Sequence, residues 1–295
     1  MNYHKITYPD LENGLGVRIT IWVSGCMHQC KGCHNPETWP MQSGKPFTSE
    51  TVQELCNLLD KYDYLDGVTF SGGDPLTRKD FSRILSECKK LCIKVNLDTV
   101  GLTFTKARKI PSLNIKVDKF LDINSLDGVD YVGIPLDGSN NGIVSKFRIY
   151  EGDLFGEILS VLNLLDKNCI NVCVNTVLHK HNLKDLENIY NIINKYDCVK
   201  KWQIFQFMPI GSLGSKNAKM FVIDDKDFDD AKLKINSLND KGLIINFKSA
   251  AERAKNYMLV NSAGVAYRVD LNNNVVSFGN IADKSSWDNI INNLS

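Results

Sequence analysis

Apolar runs rich in β-branched residues alternate along the chain with stretches of helical periodicity. Six of the runs are typical of buried strands, namely 17–24, 67–71, 93–98, 131–137, 171–178 and 202–208. Between them, apolar residues recur every three or four positions, which predicts helices over 48–62, 78–90, 156–167 and 183–195. Strands that alternate with helices of this length predict right-handed βαβ units and a parallel sheet.

Six such units are expected to form an open (β/α)6 partial barrel, an α/β fold that suits a single chain of 295 residues. The leading segment 2–16 is punctuated by glycines and is expected to be a short entry segment that leads to the first strand. The proline-containing stretch 35–40 is predicted to be non-helical and to wrap whatever the first strand presents. The stretch 101–130 is less regular, with a weak helix predicted at 105–110.

The regular alternation of strand and helix patterns ends after residue 210. A helix is predicted over 224–238, and the short β segments 257–260, 265–269 and 275–278 follow it. We therefore expect a core over 1–210 and a small α+β extension over 211–295, packed on the core within one structural domain.

Composition and charge narrow the function classes. The net charge is +1 and the basic residues are scattered, so no nucleic-acid surface is expected. No apolar stretch approaches the roughly 20 residues that span a bilayer, and Met1–Lys5 lacks the apolar core of a signal peptide. With nine cysteines, expected to be reduced thiols, the chain is predicted to be cytoplasmic.

Three cysteines, Cys26, Cys30 and Cys33, directly follow the first predicted strand. The loop at the carboxyl end of a strand is where α/β proteins place their chemistry. Thiolates prefer soft metal centres, so iron–sulfur clusters and zinc are the candidates. Structural zinc needs four closed ligands, and His34, adjacent to Cys33, is poorly placed as the fourth. A cubane with three cysteines keeps one iron open, so the count favours an iron–sulfur cluster over zinc.

The six remaining cysteines lie in or beside predicted helices and strands, where a free thiol is usually buried. We expect structural roles for all of them: Cys56, Cys88, Cys92, Cys169, Cys173 and Cys198.

Polar residues mark the ends of the later strands. Ser71, Gly72, Gly73 and Asp74 end the second strand, and the two glycines allow a ligand to approach the backbone closely. Asp98 ends the third strand, where it could accept hydrogen bonds from a ribose or a cation, or simply terminate the strand.

Further polar residues follow the fourth and fifth strands. Arg148 lies in the loop after the fourth strand. Asn175 lies within the apolar fifth strand, where lack of partners would cost about 1–3 kcal/mol, so it is expected to face a pocket. The stretch His179, Lys180 and His181 is expected to form a solvated loop face.

Three cysteines with this spacing after a first strand resemble the radical S-adenosylmethionine (radical SAM) superfamily. The resemblance implies a partial TIM barrel of the radical SAM type and a 4Fe-4S cluster on Cys26, Cys30 and Cys33. Its open iron would chelate S-adenosyl-L-methionine, whose reductive cleavage yields a 5′-deoxyadenosyl radical. Gly72 and Gly73 resemble the glycine motif that holds the methionyl amino group.

The same resemblance extends to the remaining candidate residues. Asp74 stands where many members of the superfamily have glutamate, and it keeps the negative charge. Asp98, Arg148 and Asn175 are implied to face the ribose and the carboxylate of the cofactor.

The first 76 residues are similar to the activating enzymes of anaerobic, class III ribonucleotide reductase. The similar pieces include Asn13–Arg18, Val23–Cys33, Thr38–Trp39, Gly44–Thr48 and Ser71–Leu76. This similarity implies an activase that makes a glycyl radical on a partner enzyme, with a flavodoxin or ferredoxin-type electron donor.

Residues 170–270 look more like viperin and the molybdenum-cofactor radical enzymes. The alternative is therefore a radical SAM enzyme that modifies a small molecule, a nucleotide or a peptide. Viperin's nucleotide-binding lysines would fall near Cys173 and Gln203, which cannot bind a triphosphate. A distant alternative is an iron–sulfur electron carrier.

Overall fold

A nine-stranded sheet organises the fold. The computed structural model describes residues 2–10, 13, 16–78, 80–110, 115–117, 126, 129–239, 242–256, 259–260, 265–269, 275–280 and 283–292. The described strands are β1 (Asn2–Asp10), β2 (Arg18–Val23), β3 (Lys45–Pro46), β4 (Gly67–Gly72), β5 (Val95–Asp98), β6 (Arg108–Ile110), β7 (Ile115–Val117), β8 (Val129–Pro135), β9 (Val172–Leu178), β10 (Val199–Gln206), β11 (Ile244–Lys248), β12 (Leu259–Val260), β13 (Val265–Val269) and β14 (Val275–Asn280).

Helices connect most of the parallel strands. They are α1 (Ser49–Lys61), α2 (Phe81–Lys90), α3 (Leu102–Thr105), α4 (Asn141–Phe147), α5 (Leu154–Lys167), α6 (Leu186–Ile193), α7 (Gly211–Lys216), α8 (Ala218–Phe221), α9 (Asp225–Leu238), α10 (Ala250–Asn256) and α11 (Trp287–Asn292). Single 3-10 turns lie at Pro36–Thr38, Pro75–Thr77, Leu183–Asp185 and Lys284–Ser286. Within the described ranges, no helix is long and apolar enough to cross a bilayer.

The sheet has the order β11-β10-β9-β8-β5-β4-β2-β1-β3. Its seven strands β2, β4, β5, β8, β9, β10 and β11 are parallel to one another. Each parallel strand pairs beside the preceding one, as expected for consecutive βαβ units. No pairing between β11 and β3 closes the sheet in the described part of the chain. The predicted α/β fold, an open partial barrel, is confirmed. β11 adds a seventh parallel strand, so the main sheet continues beyond residue 210.

The alternation of side chains along the strands separates an apolar from a polar face. On β2, Ile19, Ile21 and Val23 are fully buried in the main core, which the helices cover. The intervening Thr20 is also fully buried, but it belongs to the other face. That second face lines the inside of the partial barrel, and it is unusually polar for a buried surface.

The entry segment 2–16 contains a strand that was not predicted, β1, which pairs antiparallel with β2. Two predictions in the first half of the chain were wrong. The stretch 35–40 holds a 3-10 turn, because proline at its first position has no N–H to lose. The helix predicted at 105–110 lies earlier, as α3, because Lys106 is already extended; β6 follows it. Residues 111–114 and 118–125 lie outside the described residues.

The second half follows the prediction more closely. The helix predicted over 224–238 is α9, whose first turn is capped by Asp224 through a 2.7 Å bond from the Asp227 amide. β13 and β14 match the segments predicted at 265–269 and 275–278 and form a separate antiparallel sheet with β12. Residues 257–258 of the segment predicted at 257–260 lie outside the described residues. The division into a 1–210 core and a 211–295 extension stays a prediction.

Candidate iron–sulfur and cofactor site

The loop that leaves the carboxyl end of β2 carries Cys26, Cys30 and Cys33. The 3-10 turn after it holds the loop in place, since the Gly25 amide donates to Thr38 O (2.7 Å) and the Cys26 amide to Trp39 O (3.1 Å). The stretch 35–40 therefore wraps the loop, as predicted.

Segments from the second half of the chain fix the other side of the loop. The Lys31 amide donates to Phe147 O over 3.1 Å, and Asn217 Nδ2 donates to Lys31 O over 2.7 Å. Gly32 packs so tightly that a Cβ atom there would collide with the rings of Phe147 and Phe207. Glycine is therefore required at position 32 by the close approach of α4 and of the segment after β10.

The three sulfur atoms are surrounded by hydrogen-bond donors. The His28 amide lies 3.4 Å from Cys26 Sγ, and Arg148 Nη1 lies 3.7 Å from Cys30 Sγ. Cys33 receives hydrogen bonds from the Asn35 backbone and the Trp39 side chain. Such donors stabilise the charge of thiolates bound to iron and tune cluster potentials.

Burial makes the thiols of Cys26 and Cys33 poor acids until a metal binds them. It raises the pKa of the Cys26 thiol well above its ordinary value and that of Cys33 to about 11. Iron binding replaces the proton, since the thiolate is the metal ligand. The three thiols, free in the structure and ringed by N–H donors, fit a cluster.

The three cysteines do not form a site for a single metal ion. Across the described ranges, no three His, Cys, Asp or Glu side chains are grouped so that they could hold a single metal ion. The cysteines of a cubane bind different iron atoms, so they need not converge on one point as zinc ligands must.

Gly72, Gly73 and Asp74 lie beside the cysteine loop, at the end of the neighbouring strand. The Gly73 amide donates to Val23 O and the Asp74 amide to Gly25 O, both over 2.8 Å. A Cβ atom on Gly73 would stand 2.5 Å from Gly25 O. Glycine at position 73 therefore lets the two backbones touch. The predicted contact of this stretch with a cofactor stays a prediction.

The carboxylate of Asp74 is buried, and its oxygens accept hydrogen bonds from the protein. It accepts hydrogen bonds from the Leu76 amide (3.1 Å), Thr99 Oγ1 (2.6 Å) and the Val100 amide (3.2 Å). Burial raises its pKa, and the three hydrogen bonds act in the opposite direction. Asp74 thus ties the end of β4 to the end of β5 at the rim of the barrel.

Asp98 and Asn175 meet inside the barrel. Asn175 Nδ2 lies 3.5 Å from Asp98 Oδ1, across Gly133 of the intervening strand β8. Burial raises the pKa of Asp98 to about 6. Asp98 also lines a narrow pocket on the inner face of the sheet, with Asn96, Tyr131, Gly133, Cys173, Lys201 and Gln203. The structure therefore gives Asn175 the polar partner that the sequence demanded.

Arg148 stands between a carboxylate and the cysteine loop. Its Nε donates to Asp137 Oδ2, while its Nη1 approaches Cys30. The second oxygen of Asp137 accepts a 2.8 Å hydrogen bond from the Val177 amide. The family resemblance implies that Arg148 meets the cofactor, which stays a prediction; in the structure its guanidinium lies beside Cys30.

His179 was predicted to be solvated, and that prediction was wrong. Its side chain has 0% exposure, stacks on Phe147 with ring centroids 5.1 Å apart, and packs against Phe221 at 5.4 Å. Burial lowers its pKa to about 4. Lys180 and His181 are exposed, as predicted. The aromatic partners come from α4 and α8, so no local pattern around His179 could have revealed them.

The predicted burial of the spare cysteines is wrong at two positions. Cys92 and Cys169 are exposed, whereas Cys88, Cys173 and Cys198 are buried. Both exposed residues follow a helix and have positive φ, 55° and 53°. Their backbone forms the left-handed turn that ends a helix, which directs the side chain away from the core. The sixth, Cys56, is half-buried.

The fold and the cysteine loop together define an iron–sulfur protein built on an open parallel barrel. A family model described as a 4Fe-4S single cluster domain matches residues 12–131, which include the cysteine loop, the Gly72–Asp74 stretch and Asp98. Cys173, Arg148 and Asn175 lie beyond that match.

Curated relatives identify the family. The anaerobic ribonucleoside-triphosphate reductase-activating protein of Enterobacteria phage T4 is 34% identical over 158 residues, which are 52% of this chain and 89% of that relative. Its namesake from Vibrio cholerae is 32% identical over 160 residues, 50% of this chain and 100% of that relative. The chain belongs to the family of the anaerobic ribonucleoside-triphosphate reductase-activating proteins.

A second group of relatives supports the same class. The pyruvate formate-lyase-activating enzyme of Clostridium pasteurianum is 37% identical over 133 residues, 43% of this chain and 54% of that relative. The resemblance of the first 76 residues to the activating enzymes of anaerobic ribonucleotide reductase is thereby confirmed. About half of this chain has no counterpart in these matches.

Solved structures resemble the fold over more of the chain. anSMEcpe with bound AdoMet shares a TM-score of 0.56 at 17% identity, over 92% of this chain and 79% of its own. Streptococcus suis SuiB bound to its precursor peptide SuiA has a TM-score of 0.59 at 12% identity, over 78% of this chain and 48% of its own. At such identities the likeness concerns the fold alone, and it confirms the expected partial barrel.

Proposed function

We propose that this chain activates a glycyl radical enzyme, with anaerobic ribonucleoside-triphosphate reductase as the expected partner. The observation that carries the proposal is the cysteine loop, braced from both halves of the chain, inside a region that matches the 4Fe-4S domain. When bound, the 4Fe-4S cluster and S-adenosyl-L-methionine supply a 5′-deoxyadenosyl radical, which abstracts a hydrogen atom.

The residues of this chain would hold the cluster, bind the cofactor and contact its polar groups. Cys26, Cys30 and Cys33 would hold three irons of the cluster and leave the fourth open to the cofactor. The backbone of Gly72 and Gly73 would receive the methionyl group beside the loop. Asp98 and Asn175, deeper in the barrel, would meet polar groups of the cofactor or of the substrate.

An acidic, low-potential flavodoxin or ferredoxin-type protein is the proposed electron donor. Three segments meet at the outer side of the cysteine loop: 25–34, 141–149 and 211–222. Together they contain no carboxylate, and they present four lysines, Lys31, Lys146, Lys216 and Lys219. We call this the basic surface. The fifth cation of these segments, Arg148, is largely buried and paired with Asp137.

The basic surface also has the apolar content of a docking site. Ile149, Met220 and Val222 are exposed by 49%, 44% and 38%. Because Cys30 is the chain neighbour of Lys31, a donor docked here would stand close to the cluster. Attraction between the acidic donor and the lysines would speed their association, so the association rate should depend on salt concentration.

We propose that the protein is cytoplasmic. All nine cysteines are free in the structure, and a reducing compartment keeps thiols and clusters in that state.

Cofactor chemistry is tested first, with dithionite as a small reductant. The anaerobically reconstituted protein should convert S-adenosyl-L-methionine to 5′-deoxyadenosine and methionine. Cys30→Ser should lose most of its iron and this activity, while the matched control Cys169→Ser should keep both, because Cys169 is exposed and far along the chain. Wild-type protein that carries a full cluster and makes no deoxyadenosine would point to an electron carrier.

A small molecule, nucleotide or peptide substrate is the second candidate. The observation that favours it is the narrow pocket inside the barrel, where Cys173, Lys201 and Gln203 lie beyond the family match at residue 131. Gln203 Oε1 is buried there and has no hydrogen-bond partner among the described residues, so it is an acceptor for a bound N–H or O–H group. Under this alternative, deoxyadenosine would form without any radical on the reductase.

A further inference from the structure

We propose that Arg148 and Asp137 form an oriented charge pair that sets the reduction potential of the cluster through Cys30. Arg148 Nη1 lies 3.7 Å from Cys30 Sγ, and Arg148 Nε donates a hydrogen bond to Asp137 Oδ2. The side chains of Arg148 and Asp137 are 15% and 0% exposed, so water screens their charges little.

Protein contacts other than their mutual bond hold both members of the pair. Asp137 Oδ1 accepts from the Val177 amide over 2.8 Å, and Asp137 O accepts from Asn182 Nδ2 over 2.9 Å. Arg148 caps the end of α4, and its guanidinium carbon lies 5.8 Å from the centre of the Phe147 ring. Replacing one member therefore leaves the position of the other largely determined.

The charges around the other two cysteines have the opposite sign. Asp74 acts on the Cys26 sulfur and Glu37 on the Cys33 sulfur, and both carboxylates disfavour added negative charge. In the described part of the chain, Arg148 is the cation in hydrogen-bond contact with a cluster cysteine. It offsets the two carboxylates where the cluster must accept an electron.

The sign of the effect follows from charge. Reduction adds one electron to the cluster, and a cation beside a cysteine ligand stabilises that state. Asp137 is hydrogen-bonded to Arg148 and weakens its field without cancelling it, because the guanidinium is the charge in contact with Cys30 Sγ. Removing the cation should lower the reduction potential, and neutralising Asp137 should raise it. A purely structural role would not separate the two variants in this way.

The test is a redox titration followed by electron paramagnetic resonance. It uses the holoprotein without S-adenosyl-L-methionine, so that any contact of Arg148 with the cofactor carboxylate cannot contribute. The variants are Arg148→Gln, Arg148→Lys and Asp137→Asn. Arg18→Gln is the matched control, because Arg18 is also buried and paired with a carboxylate, Asp130 at 3.4 Å.

Arg148→Gln is expected to have a reduced-to-oxidised ratio at least tenfold lower than wild type at a fixed poise, which equals about 59 mV for a one-electron couple. Asp137→Asn should shift in the opposite direction, and Arg148→Lys should shift less than Arg148→Gln. Arg18→Gln should titrate as wild type does.

Three outcomes would overturn the proposal. One is a wild-type potential in iron-loaded Arg148→Gln, even if its affinity for S-adenosyl-L-methionine falls. Another is a shift of Arg148→Gln and Asp137→Asn in the same direction. The third is an equal shift in Arg18→Gln. If Arg148→Gln fails to load iron, Arg148→Lys and Asp137→Asn decide the question by their signs.

Discussion

Thr99 Oγ1 donates a 2.6 Å hydrogen bond to Asp74 Oδ1, and this bond joins the ends of two adjacent parallel strands. The same threonine oxygen accepts the Gly101 amide over 2.9 Å. Thr99 and Asp74 are both buried, with 6% and 4% of their surface exposed. The rim of the barrel beside the cysteine loop is therefore braced by a carboxylate that has little freedom to move.

Thr99→Val should weaken this brace. Valine has nearly the same shape but cannot donate to Asp74, so a buried carboxylate loses a donor at a cost of about 1–3 kcal/mol. We expect a fall of that size in the free energy of unfolding, measured by urea denaturation, and a higher KM for S-adenosyl-L-methionine. The exposed Ser145→Ala is the control. Unchanged stability and KM in Thr99→Val would show that the brace is unimportant.

Cys92→Gly and Cys169→Gly should each stabilise the protein. The φ angles of 55° and 53° place both cysteines in the left-handed region, which glycine adopts without strain. We expect gains of about 0.5–1 kcal/mol each in the free energy of unfolding, with iron content unchanged. A loss of iron from either variant would mean that the exposed thiols take part in metal binding.

Local pattern was enough to predict the parallel strands and the cysteine loop. Their signals lie in consecutive residues: β-branched runs, glycines and closely spaced thiols. The elements that surround the loop were not predicted, because α4, α7 and α8 are four to seven residues long and too short for a clear period. β11 was missed because it is half-buried at the edge of the sheet.

Among the site residues, too, those marked by local sequence signals could be predicted and those that depend on distant contacts could not. The positions of Asp74, Asp98 and Asn175 at one end of the sheet follow from strand order, so the sequence could place them. The contact of Arg148 with Cys30 joins residues 118 positions apart, and the burial of His179 depends on Phe221 in a distant helix. Contacts of this kind leave no trace in local spacing.

The buried His179 should make the protein sensitive to acid. Its folded pKa of about 4 lies below the ordinary value of 6.5, so its contribution to stability is complete above pH 6.5 and is lost as the pH falls toward 4. At pH 5 the loss should be about 2 kcal/mol. His179→Phe cannot take up this proton and should lose correspondingly less stability between pH 7 and pH 5. Equal losses in both proteins, measured by anaerobic urea denaturation, would contradict this.

The basic surface should govern reduction by a protein donor. Lys146→Glu and Lys219→Glu reverse charges beside the cysteine loop, so the KM for an acidic flavodoxin should rise about tenfold at low salt, and less at high salt. Dithionite-driven turnover should not change. Lys232→Glu, on the exposed side of α9, is the matched control. If Lys146→Glu behaves like the control, the donor docks elsewhere.

Activation of a glycyl radical enzyme is tested most directly by electron paramagnetic resonance on the protein mixed anaerobically with the class III reductase of the same organism, S-adenosyl-L-methionine and a reductant. A stable glycyl-radical doublet on the reductase is expected. The signal should be absent with Cys30→Ser and with a reductase whose radical glycine is replaced by alanine. Deoxyadenosine production without any doublet would contradict the activase and favour a substrate bound inside the barrel.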